Sequence, residues 1–136
     1  MDKHDLGTEQ DIKLLVDTFY GKAMSDPLIG FIFTDVAKIS LEHHMPIMYS
    51  FWSSMLLGTD NYRSNPMAKH MDLNRKTALL PQHFKRWLEL WEETVNDLFA
   101  GPMAEQTITR GKNIASVMEY KVRRDRDTFP IIPGRI

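Results

Sequence analysis

The sequence predicts an all-α fold, with four amphipathic helices in two pairs laid over one another as a two-over-two sandwich. Three observations predict it. Apolar residues recur with a helical period, each periodic run is bounded by capping or breaking residues, and no alternating strand pattern or internal repeat intervenes. With 136 residues and 43% hydrophobic content, the chain is sized for one domain with its own core. We expect residues 1–136 to form that single domain, with the helical core at about 10–124 and an irregular tail at 125–136.

Thr8-Glu9-Gln10-Asp11 resembles a capped helix start, with acidic side chains near the positive end of the dipole. Ile12, Leu15, Val16, Phe19, Tyr20 and Ala23 then share one face. Tyr20 therefore points inward, and its hydroxyl needs a partner there. Ser25-Asp26-Pro27 ends the helix. Leu28 to Phe33 is a compact apolar run sized for a single turn or short helix, in which Gly30 permits a tight bend or close packing.

Ser40 can cap a second helix running to Gly58, whose inward face is His44, Ile47, Met48, Phe51, Trp52 and Met55. Successive residues are about 100° apart around a helix, so His43 points away from the direction of His44. Pro46 lacks an N–H and crowds the preceding turn. Either the helix starts later than Ser40 or its first turn is distorted around His44.

Thr59 to Ser64 is a polar loop. Asn65-Pro66 opens a short helical segment that carries His70 between Met67 and Met71. A second polar loop runs through Arg75 and Lys76. Pro81 opens the third long helix, with Phe84, Trp87, Leu88, Trp91, Val95 and Leu98 on one face. Two tryptophans four residues apart there make a flat wall. Gly101-Pro102 stops it, and a fourth helix runs from about Met103 to Arg124 with Ile108, Gly111, Ile114, Ala115, Met118 and Val122 inward. The tail from Phe129 contains two prolines and fits neither helix nor central strand. The pair of helices carrying Tyr20 and His44 is expected to oppose the pair carrying Trp87 and Met118.

Composition removes several classes of function. A net charge of −1 leaves no electrostatic footprint for nucleic acid and no basic membrane-binding face. The absence of cysteine excludes disulfides, thiolate-bound zinc, iron–sulfur clusters, and thiolate-ligated or covalently attached haem. The opening Met-Asp-Lys-His-Asp-Leu has no apolar signal region, and no run approaches the length of a membrane span. The default expectation is a soluble cytoplasmic protein. Nine methionines stand beside seven phenylalanines, four tyrosines and three tryptophans. Methionine commonly fills cores, and it also adapts to flat, polarisable surfaces.

Taken singly, the side chains that carry chemistry have plain readings. Tyr20 and Trp87 suit a helix–helix core, His44 a surface site near a helix start, and His70 a partly buried site beside a carbonyl. One arrangement uses all four. A flat apolar cofactor lies between the helices of His44 and Trp87, His70 ligates its metal from one side, and Tyr20, His44 and the Trp87 indole offer hydrogen bonds on the other. Haem iron asks for little more than one imidazole and an apolar slot. A zinc site would need His44, His70 and an acidic residue to converge, and no HExxH-like spacing supports one.

The chain resembles the truncated haemoglobins, most closely their third group. The resemblance rests on Phe19-Tyr20, on Phe31-Ile-Phe33, on His44 followed by Phe51-Trp52-Ser-Ser-Met55-Leu-Leu-Gly58, and on Tyr62. It continues with Pro66-Met-Ala-Lys-His70-Met-Asp-Leu73 and Phe84-Lys-Arg-Trp87-Leu-Glu-Leu-Trp91. It covers about residues 10–122, and the glycine pairs of other truncated globins are absent here as they are in that group. The resemblance implies a truncated-globin sandwich holding haem b at a pentacoordinate-type iron. His70 is then the proximal metal ligand, and Tyr20, His44 and Trp87 form the distal, candidate catalytic set. Phe33, His44, Met48, Phe51, Met55, Tyr62, Met67, Trp87, Trp91 and Met118 are the expected cofactor contacts. Pro46 and a longer stretch at Leu73 to Leu80 depart from the pattern.

The implied ligands are dioxygen, NO, CO, cyanide or peroxide, with electrons from an unidentified reductase. Several hydrogen-bond donors around a bound ligand favour redox or NO- and peroxide-related chemistry, of a peroxidase-like or NO-dioxygenase-like kind. The alternatives are a simple oxygen carrier, store or sensor, and a cofactor-free helical interaction module.

Overall fold

The computed structural model describes residues 3–58, 73–74 and 76–128. Tyr62, Met67, His70 and the stretch 129–136 lie outside the described residues. The long helices are α1 (Glu9–Met24), α2 (Leu41–Leu57), α3 (Pro81–Leu98) and α4 (Pro102–Thr128). A π-helical turn spans Ile32–Val36, and no strand occurs among the described residues.

α1 begins where its local sequence predicts. Thr8 takes extended backbone and its hydroxyl accepts the Asp11 N–H at 3.1 Å, while the Asp11 carboxylate accepts the Thr8 N–H at 3.0 Å. This reciprocal box satisfies donors that a helix start leaves unpaired. The inward face buries Ile12, Leu15, Val16, Phe19 and Ala23. Past the end of α1 the chain turns sharply against itself. A Cβ on Gly30 would lie 2.6 Å from the Met24 carbonyl oxygen, so close backbone approach is what requires glycine there. Asp26 holds this corner. Its buried carboxylate accepts the N–H groups of Leu28 (3.0 Å) and Ile29 (3.1 Å) and the Arg86 Nε of α3 (2.8 Å).

α2 starts immediately after Ser40 despite Pro46. The Ser40 carbonyl accepts from both His43 (3.1 Å) and His44 (2.8 Å), which gives the first turn partly 3₁₀ character. Pro46 sits inside the helix and cannot bond the Glu42 carbonyl. Of the two sequence options, the later start is not observed.

α1 packs on α2 and on α3, and α3 packs along α4. The two pairs are therefore α1/α2 and α3/α4, the all-α two-over-two arrangement expected from the four stripes. The N-terminal segment closes one end of it. The Asp5 carboxylate accepts the N–H groups of Met103 (3.0 Å) and Ala104 (2.9 Å), capping α4 from 98 residues away, and Leu6 is buried beside it. α4 continues to Thr128, beyond the end expected at Arg124, so residues 125–128 are helical and not part of an irregular tail. A mixed-charge run suits an exposed helix face as well as a loop, and Arg123 pairs with Glu119 at 3.3 Å one turn back.

Candidate functional site

A cavity of about 460 Å³ opens inside the sandwich, within the range of about 300–1,000 Å³ usual for small-molecule sites. It is lined from α1, the π-helical turn, α2, α3 and α4. Eight of the sequence-predicted site residues meet there: Tyr20, Phe33, His44, Met48, Phe51, Trp87, Trp91 and Met118. Met55 does not line it; it packs half-buried against the core further along α2. Tyr62, Met67 and His70 fall outside the described residues.

One wall is flat. The rings of Trp52 and Trp91 stack with centroids 4.3 Å apart and planes 23° apart, and Trp87 continues the stack at 5.7 Å and 8° from Trp91. Phe19 sets its edge against both α3 indoles, at 5.4 and 5.2 Å. Trp91 is fixed from behind, since its Nε1 donates to the Thr107 carbonyl at 3.1 Å. Gly111 makes that approach possible, because a Cβ there would lie 2.5 Å from Trp91 Cδ1. Offset aromatic contacts of this kind prefer defined geometries and stiffen the wall.

The polar groups are few. The Tyr20 oxygen lies 2.9 Å from His44 Nε2. Burial pushes the Tyr20 phenol far above its usual pKa, so it stays a neutral donor. One proton occupies that hydrogen bond. With Nδ1 of His44 protonated, the phenol donates to Nε2. With Nε2 protonated, His44 donates to the phenolic oxygen and the Tyr20 O–H is left for a ligand in the cavity. Trp87 lines the same space and, unlike Trp91, makes no hydrogen bond through its indole to the described residues.

Two further lining residues carry charge or can carry it, and the sequence reading passed over them as site residues. Lys76 is exposed and His83 half-buried. His83 Nδ1 accepts the Leu80 N–H at 3.0 Å, and burial pulls the imidazole pKa below its ordinary value. The ring is then neutral with its proton on Nε2. A signal existed, since His83, Trp87 and Trp91 recur at four-residue spacing on one face of α3.

The described lining fits a planar apolar ring system, with a flat indole wall, thioether and aliphatic side chains, and donors gathered in small sets. The described residues bring no three His, Asp or Glu side chains together, so the zinc reading gains no support from them.

No family model matches the chain. A group 3 truncated haemoglobin of Campylobacter jejuni is 33% identical over 118 residues, spanning 84% of this chain and 90% of that protein. The crystal structure of the group III truncated haemoglobin from Campylobacter jejuni matches with a TM-score of 0.79 at 28% identity, covering 88% of this chain and 94% of that one.

Proposed function

This chain belongs to the group III truncated haemoglobins, and on that premise we propose that it holds haem b in the cavity and binds dioxygen, NO, CO, cyanide or peroxide for redox or detoxifying chemistry. The observation that carries the reading is the convergence of Tyr20, His44 and Trp87 on one apolar space. His70 is assigned as the protein's iron ligand on the resemblance of the Pro66 to Leu73 segment.

Haem supplies, when bound, an iron that coordinates a diatomic ligand and draws negative charge onto it. The chain's part is to bind the ring, exclude water and place donors. The Trp52–Trp91–Trp87 wall takes one stretch of the ring, with Met48, Phe51 and Met118 as adaptable apolar contacts. Trp87, and Tyr20 once His44 Nε2 carries the shared proton, are preorganised donors in a site lined mainly by apolar side chains, where such groups are worth more than in water. Each is worth roughly 1–3 kcal/mol toward a charged partner. Two together slow ligand release about a hundredfold or more, at tenfold per roughly 1.4 kcal/mol. A carrier must let go, so a pocket with two such donors suits ligand chemistry better than delivery. A cytoplasmic reductase, not yet identified, would provide the electrons.

The absorption spectrum of the purified protein tests the cofactor, since haem gives an intense Soret band. Stopped-flow release of dioxygen from the reduced, haem-loaded wild type, Tyr20→Phe and Trp87→Phe tests the role. Slow release that either substitution speeds at least tenfold supports it. Fast release from wild type, unchanged in both variants, overturns it in favour of a carrier, store or sensor.

A further inference from the structure

We propose that His83 and Lys76 form an anion-binding rim that receives the carboxylate edge of the cofactor, with His83 Nε2–H as the positioned donor. The inference rests on the haem reading above. Haem is apolar over most of its area but carries two carboxylates along one edge, and these must meet donors or water. Among the described lining residues, the basic side chains that can offer an N–H to a carboxylate are His44, Lys76 and His83, the last as a neutral imidazole. His44 is engaged with Tyr20 at 2.9 Å. Lys76 and His83 remain, and both reach the outside, Lys76 exposed and His83 half-buried. They are placed where an anionic edge meets solvent while the rest of the ring stays in the apolar interior.

Both residues are held by their backbone surroundings. The buried Asn74 side chain accepts the Leu79 N–H at 3.0 Å and donates to the Val122 carbonyl of α4 at 3.0 Å. This pins the turn between Lys76 and His83 to the body of the fold. His83 is fixed in orientation as well as position. Its Nδ1 accepts the Leu80 N–H at 3.0 Å, and Phe31 lies edge-on to the ring at a centroid distance of 6.0 Å. Rotating the imidazole would give up the Leu80 bond, so Nε2–H on the far side of the ring is a preset donor. Lys76 adds a flexible charge on the lining of the same cavity. A planar carboxylate can take one bond from each.

The test separates the rim from the rest of the haem site by changing the cofactor. The protein is reconstituted with haem and with haem dimethyl ester, whose carboxylates are masked, and loss of each to excess apomyoglobin is timed. His83→Glu is the main variant, because glutamate at the third helical position can still accept the Leu80 N–H while it removes the donor and adds negative charge. His83→Leu and Lys76→Ala accompany it, with helix content checked by circular dichroism. A charge-assisted bond at a half-exposed site corresponds to about a tenfold change in rate. We expect His83→Glu to speed the loss of haem about tenfold or more, Lys76→Ala to speed it less, and neither to alter loss of the ester. Equal acceleration for both cofactors, or none for either, overturns the rim while leaving the haem reading intact. Failure of the wild type to take up haem overturns both.

Discussion

Gly111 and Gly21 are both helical glycines, and the structure gives them opposite responses to alanine. At Gly21, exposed on α1, nothing lies within 4 Å of an added Cβ. Alanine there should stabilise by about 0.5–1 kcal/mol, the ordinary gain for filling a glycine in a helix. At Gly111 the new carbon would sit 2.5 Å from Trp91 Cδ1 and 2.7 Å from Nε1, against roughly 3.5–4.0 Å for an unstrained contact. Trp91 has little room to yield. It is 1% exposed, stacked between Trp52 and Trp87, and bonded to Thr107. Overpacking of this kind costs about 1–3 kcal/mol, and losing the Thr107 bond adds about 0.5–1.5 kcal/mol. The helix-propensity gain of about 1 kcal/mol only partly offsets this, so Gly111→Ala should be destabilised by about 1–3 kcal/mol. Urea unfolding of both variants at equal haem load measures the difference, with unchanged m values confirming that stability is what moved. Movement of Trp91 also shifts Trp87, so dioxygen release should change in Gly111→Ala and stay constant in Gly21→Ala. Stabilisation of both variants to a similar degree would show that α4 does not press on the indole wall as described.

The remaining predictions concern the iron ligand and one ion pair between a buried carboxylate and a partly exposed guanidinium. His70→Ala should purify without haem, or hold it only in added imidazole, whereas His44→Ala should keep it; a normal haem content in His70→Ala refutes the ligand assignment. Burial alone would raise the Asp26 pKa, but the Arg86 guanidinium and the Ile29 and Leu28 amides outweigh it and hold the carboxyl below its ordinary value. A depressed folded pKa means the contribution is fully present above the unfolded value, near about 3.9, and is lost as pH falls through the lower folded value. Asp26→Asn should therefore be less stable by about 1–2 kcal/mol from neutral pH down to about pH 5, with the gap closing in more acidic solution. A gap that persists unchanged into strong acid rules out the ion pair as its source.

Features written in a few adjacent residues were legible from the sequence. The start of α1 is one, because Thr8 and Asp11 complete their box within four positions. The direction of Tyr20 is another, because a helical period fixes which way a side chain points. Period does not fix depth along an axis, however. Met55 shares a face with Phe51, yet the cavity ends before it reaches that far along α2. Pro46 left two options open because the local penalty for an interior proline does not say whether packing will outweigh it. His83 escaped notice because a histidine in the first turn of a helix counts as polar in any pattern of apolar residues. The capping of α4 by Asp5 joins groups 98 residues apart and leaves no local mark. Its two partners are simply an acidic residue and a free helix start, each common on its own.

The indole stack also has an optical consequence. The chain contains three tryptophans, and all three border the same cavity in one contiguous pile. No remote indole contributes a constant background to the emission. Any coloured ring seated against that wall accepts excitation from every emitter at short range, so intrinsic fluorescence should fall nearly to zero on filling and return on emptying. Indoles this close also couple their transitions, so the aromatic circular dichroism of the stack should differ from the sum of three isolated rings. Displacing any one of the three rings would change that aromatic signal, whatever its effect on the helix signal in the far ultraviolet.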